Sequence, residues 1–166
     1  MIPSLLNPGI CCIEPVEHPE FLCEAVYHDR VLPSVKPSED LIDELLVYCH
    51  GTNLKARRAH LKAAHDIHRL GPIVIDERIG FTLFPVTVSR RRNPCWVNLH
   101  QLLEFRPGTE GTEIRFNHGM MKWIDADYKL CEKQYAKALK VLDRSTKIRE
   151  QSALYTTRQE GARLLL

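Results

Sequence analysis

The stretch Val86-Thr-Val-Ser-Arg-Arg-Arg-Asn-Pro-Cys-Trp-Val-Asn-Leu-His100 sets three consecutive arginines between two runs of strand-forming residues. Upstream, Ile79–Val88 is rich in β-branched and aromatic side chains; downstream, Cys95–Leu99 alternates with period two. Arg90, Arg91 and Arg92 therefore fall at the tip between two strands. Arginine keeps its charge at every physiological pH, and three of them cannot be buried without three partners. The tip is either a solvated loop or a device that meets something strongly anionic. A narrow A-tract minor groove concentrates negative potential, and inserted arginines read it. A hairpin tip fits a space too tight for a helix. Asn93 could bond base-edge acceptors there, and Pro94 would stiffen the turn.

Working back from the tip, Pro72–Ile75 and Ile79–Val88 suggest a hairpin with a turn at Asp76–Arg78, and Pro85 argues for an edge or a bulge. Thr52 or Asn53 can cap a helix over Leu54–His65, where Leu54, Leu61 and Ala64 give a thin apolar face. Lys55, Arg58 and Lys62 recur at i, i+3 and i+7 on another face, with Arg57 beside them. Ser38 looks like the N-cap of a short helix over about 39–47, with Glu39 and Asp40 in its first turn. Before it, Ile10–Ile13 and Phe21–Tyr27 are candidate strands among prolines.

Working forward, Arg106-Pro-Gly is a turn, and Glu113–Phe116 and Met121–Ile124 form a further hairpin around Asn117–Gly119. Trp96 and Trp123 each sit in an alternating strand, where an aromatic is usually core. From Asp125 or Asp127 a long helix begins. Its stripe of Tyr128, Cys131, Tyr135, Ala138 and Leu142 suits packing on the sheet or on a partner helix, and it leads us to expect a dimer on DNA.

The net charge of +2 conceals a strong polarity. Residues 1–50 hold nine acids against two bases, while residues 51–92 hold nine bases against three acids. Two readings stand: an anionic partner for the middle of the chain, or acidic and basic segments that pack side by side and neutralise each other. The six cysteines are scattered, without C-x-x-C, and read as buried reduced thiols. No apolar run approaches a bilayer's thickness, and Pro3, Pro8 and Gly9 interrupt what a secretion signal would need. We therefore expect a cytoplasmic protein.

Enzyme signatures are missing: the sequence has no H-E-x-x-H, no G-x-S-x-G and no phosphate-binding G-x-x-x-x-G-K-[ST]. His65 and His68 would lie about 60° apart on a helix and, with His60 and Cys49, offer a metal-binding alternative for a regulatory or hydrolytic protein. A non-nucleic-acid interaction module, its basic face covered by the acidic segment, is the third class. The arginine tip and the basic helix together favour DNA over both.

Several motifs resemble one family. Cys49-x-Gly51-Thr-Asn-Leu-x-x-Arg57, Gly71-Pro-Ile-Val-Ile-Asp76, Phe81-x-x-Phe84-Pro85, Ser89, Cys95-Trp-Val and Glu104-Phe105 follow in an order similar to that of the ComK family of bacterial competence transcription factors. The resemblance implies an activator of DNA-uptake genes that binds paired A/T-rich boxes through the minor groove and self-associates on DNA. It implies RNA polymerase, an adaptor and a protease as further partners.

The expectation is an α+β fold: an antiparallel-dominated β-sheet over about 70–124, a basic helix near residues 54–65 and a long C-terminal helix. Residues 1–150 would form a single DNA-binding domain with an acidic strand and turn region at 1–50, and residues 151–166 a C-terminal extension. The expected DNA contacts are Lys55, Arg57, Arg58 and Lys62 on phosphates and Arg90, Arg91, Arg92 and Asn93 in the minor groove. No cofactor, metal or catalytic residue is assigned.

Overall fold

The computed structural model describes residues 5–88 and 90–164. Ser89 of the motif series and the terminal Leu165 and Leu166 lie outside them. The elements run β1 (Cys12–Pro15), β2 (Cys23–Val26), β3 (Val31–Ser34), α1 (Ser38–His50), α2 (Leu54–His65), β4 (Ile73–Asp76), β5 (Phe81–Pro85), β6 (Trp96–Asn98), β7 (Leu102–Pro107), β8 (Thr112–Phe116), β9 (Met121–Ile124) and α3 (Tyr128–Leu164). The fold is α+β, and its strand pairings are antiparallel.

The expected single sheet is two. Six strands pair in the order β3-β2-β1-β6-β5-β4, and three pair as β7-β8-β9. The N-terminal strands join the larger sheet through β1 and β6, with Cys12 opposite Val97 and Ile13 opposite Trp96. Hairpin rules link neighbours in sequence, so no local pattern announces this distant pairing.

Strand alternation sorts the core to both faces of the larger sheet. Ile13, Ala25, Ile75, Phe81, Leu83 and Trp96 face α1 and α2, meeting Leu41, Ile42, Leu45, Leu46, Leu54 and Leu61. Cys12, Val26, Phe84 and Val97 face the other way, onto Phe105, Ile114, Phe116 and Ile124 of the smaller sheet and Cys131 and Ala138 of α3. Each such large side chain contributes about 1.5–3 kcal/mol by leaving water. The α3 stripe thus packs on the protein's own sheets.

Gln134 of α3 is buried and fixes that packing, its Nε2 donating to Leu70 O at 2.6 Å and Pro85 O at 2.9 Å. Pro85 belongs to an interior strand, contrary to the expected edge or bulge. It is tolerated as the last residue of β5, because β4 begins opposite Leu83 and asks for no ladder bond beyond it. The bulge lies instead between Val74 and Asp76.

Trp96 is buried as expected, but Trp123 is 50% exposed. Alternation in β9 turns Ile124 inward and so sends Trp123 out. Five of the six free cysteines are buried and Cys49 is exposed; burial pushes the Cys95 thiol far above its ordinary pKa.

Candidate nucleic-acid interface

The arginine tip is a tight turn. Val86 N–H donates to Cys95 O at 2.9 Å, and Asn93 N–H closes the turn onto Arg90 O at 3.0 Å. Its two central residues, Arg91 and Arg92, have φ of 54° and 61°. Two successive positive φ values mark a type I′ hairpin turn, which normally selects Asn-Gly. A side chain larger than glycine costs about 1 kcal/mol at each such position. This chain places arginine at both, and Arg90, Arg91 and Arg92 are exposed.

Helix α1 holds the strained turn. Asn93 Oδ1 accepts from Ser38 N–H at 2.9 Å, and Arg92 O accepts from Glu39 N–H at 3.0 Å. Ser38 Oγ donates to Pro94 O at 2.8 Å, and Asn93 Nδ2 donates to Leu22 O at 2.8 Å. The first N–H groups of any helix lack partners within it; here the arginine loop supplies acceptors for the first two, Ser38 and Glu39. Ser38 is accordingly not the N-cap. Pro37 takes that position without a side-chain bond, and Asn93 does the capping from far along the chain. Both ends of the Asn93 amide engage the protein, which gives this side chain an internal role in holding the turn.

Helix α2 is capped as its sequence suggests, Asn53 Oδ1 accepting from Ala56 N–H at 2.8 Å. Its Leu54 N–H donates to Asp43 Oδ1 of α1 at 2.8 Å. Only Leu54 and Leu61 are buried, while Lys55, Arg58 and Lys62 share the exposed face. Arg58 Nη1 lies 3.0 Å from Glu39 Oε1, a carboxylate only 4% exposed, yet Arg58 itself is 48% exposed. Arg92 likewise pairs with Asp40 at 3.0 Å and stays 59% exposed. Arg57 departs from expectation. It lies four residues before Leu61, on the inward side, and its Nη2 donates to Ile75 O at 3.3 Å. It fastens α2 to β4 rather than facing outward.

The reading in which acidic and basic segments pack side by side is seen at α1. The acidic first turn of α1 packs against the basic elements, and in doing so it orients them. Glu39 braces Arg58, Asp40 braces Arg92, and Asp43 braces the start of α2.

Lys55, Arg58, Lys62 and Arg92 line one concavity of about 770 Å³, floored in part by Leu61 and Trp96. Arg69 joins them, a residue the sequence reading passed over because it lies beyond the helix. The chain reverses there at Asp66, whose φ of 54° ends α2 and turns the following segment back along it. On the loop's other flank, a concavity of about 660 Å³ is lined by Arg90 and Arg91 together with Asp125 and Asp127. The loop is thus a ridge whose α2 side is predominantly cationic. Arg90 and Arg91 have no ion-pair partner among the described residues. Such a surface can hold an extended anion by several charge-assisted contacts at once.

Of the candidate histidines, His68 lines the α2 concavity. His60 and His65 stand with ring centroids 5.6 Å apart, His65 reaches Ser145 Oγ at 3.4 Å, and His68 Nε2 lies 2.8 Å from Asp66 Oδ1. Among the described residues no group of three His, Cys, Asp or Glu is arranged to hold a metal. Among them, too, no helix is long and apolar enough to cross a membrane.

A sequence model of the ComK protein matches residues 5–153, a span that includes the arginine loop, both short helices, both sheets and the packed part of α3. No curated protein and no solved structure matches the chain. With the match covering most of the sequence, the chain belongs to the ComK family of competence transcription factors.

Proposed function

We propose that this protein activates transcription of DNA-uptake genes by binding duplex DNA at A/T-rich sites. The arginine ridge enters the minor groove there, and the exposed face of α2 rests on flanking phosphates. The observation that carries this reading is that Arg92 of the loop and the exposed face of α2, remote in sequence, line one concavity. Arg90, Arg91 and Arg92 are the groove-reading residues; Lys55, Arg58 and Lys62, with Arg69, hold the backbone. Arg57 and Asn93 take structural parts. Activation further requires self-association on paired sites and a contact with RNA polymerase, both in the cytoplasm. Control through an adaptor and protease belongs to the same reading.

The test compares A/T-rich with G/C-rich duplex in a competition assay. Arg91→Ala should lower the preference for A/T-rich duplex by about tenfold, near 1.4 kcal/mol. Lys62→Ala should weaken both duplexes alike and reduce the slope of log K against log salt by about one. An unchanged preference in Arg91→Ala refutes the groove assignment.

A further inference from the structure

We propose that Asn93 and Ser38 form a clasp that sets the duplex selectivity of the arginine ridge, acting as positioning residues from inside the protein. The inference rests on the DNA-binding reading and assigns selectivity to two side chains that need not touch DNA.

The argument begins with strain. Arg91 and Arg92 both hold positive φ, at 54° and 61°, where an unconstrained arginine would leave that region. Such a conformation persists only where the surroundings over-determine it, and it is found disproportionately at functional sites. The surroundings are on view. Through its side chain, Asn93 reaches two separate elements, α1 at Ser38 N–H and the approach to β2 at Leu22 O. Ser38 answers through its hydroxyl, which donates to Pro94 O. These bonds bracket the turn on its C-terminal side, while Arg92 O is held by Glu39 N–H. Ser38 is fully buried, so it cannot itself meet a duplex.

Attraction to DNA and discrimination between DNAs depend on the clasp differently. The sequence-independent part follows the number of phosphates neutralised, and α2 supplies it whatever the turn does. Discrimination depends on where the guanidinium groups sit, within roughly half an ångström and 10–20° for a preorganised site. Loosening the clasp therefore lowers selectivity while leaving general affinity nearly intact.

The experiment measures wild type, Asn93→Ala and Ser38→Ala by fluorescence anisotropy on A/T-rich and G/C-rich duplexes at two salt concentrations. Thermal melts establish that each variant is folded at the assay temperature. Asn93→Ala should cut the A/T preference by about tenfold, and Ser38→Ala by about threefold, with affinity for G/C-rich duplex and the salt slope nearly unchanged. Native-state exchange should show faster loss of the Ser38 amide hydrogen in Asn93→Ala. A wild-type preference in Asn93→Ala overturns the clasp. So does loss of preference in Asn93→Ala with none in Ser38→Ala, which would make Asn93 a direct base contact. If Asn93→Ala does not fold, Ser38→Ala decides alone: reduced preference supports the clasp, unchanged preference overturns it. Wild type with no salt-dependent binding, or with no A/T preference, removes the DNA-binding reading itself, a result distinct from failure of the clasp.

Discussion

Two hairpin tips in this protein solve opposite problems. The β5–β6 tip needs positive φ at two adjacent residues and fills both with arginine. The β7–β8 tip carries Gly108 and Gly111, neither at a positive φ, closed by Gly108 N–H on Gly111 O at 2.9 Å. What the second tip lacks is room. A Cβ on Gly108 would come within 1.9 Å of the Trp123 ring, and one on Gly111 within 2.5 Å of Ile124 O. At these two tips, glycine sits where space demands it and is withheld where conformation favours it. The difference marks the first tip as one whose side chains matter more than its local stability.

That contrast can be broken at either end. Gly111→Ala presses a methyl group against backbone, which cannot swing aside. It should destabilise the fold by about 2–3 kcal/mol in denaturant titration, without changing the A/T preference of the folded fraction. Gly108→Ala meets chiefly the rim of a half-exposed indole, which can rotate away, with Gly111 O next at 3.2 Å. A loss of about 1 kcal/mol is expected, with a clear change in tryptophan fluorescence as the ring moves. Arg91→Gly should behave in the reverse sense. Relief of the left-handed conformation offsets glycine's larger unfolded-state entropy, so stability should hold or rise by up to about 1 kcal/mol while A/T preference falls. If Arg91→Gly instead cost stability as Gly111→Ala does, the arginines would be holding the turn together and the contrast would fail.

The sequence disclosed what depends on near neighbours. The three-arginine tip, the Asn53 cap and the shared face of Lys55, Arg58 and Lys62 all follow from spacing of a few residues. Strand β3 escaped because Pro33 argues against a strand, yet β3 is an edge of its sheet, where proline is tolerated. Strand β7 escaped because a register shift between Leu102 and Glu104 interrupts its alternation. The bond from Arg57 to Ile75 is not legible because one step around the helix separates an outward guanidinium from an inward one. The internal bonds of Asn93 are not legible for a different reason: its partners, Ser38 and Leu22, lie in distant segments, and no local pattern names them.

The single amide of Gln134 has a mechanical consequence. It grips Leu70, ahead of β4, and Pro85, at the end of β5, while the helix that carries it continues to Leu164. Beyond Gln134 the helix stays fastened as well: Ala138 and Val141 are buried, Ser145 Oγ lies 3.4 Å from His65 Nε2, and Arg149 lies 3.7 Å from Glu77. A load on its far turns is therefore shared among these holds, and wrenching the Gln134 turn of α3 loose releases the entry to β4 and the exit from β5 in the same stroke.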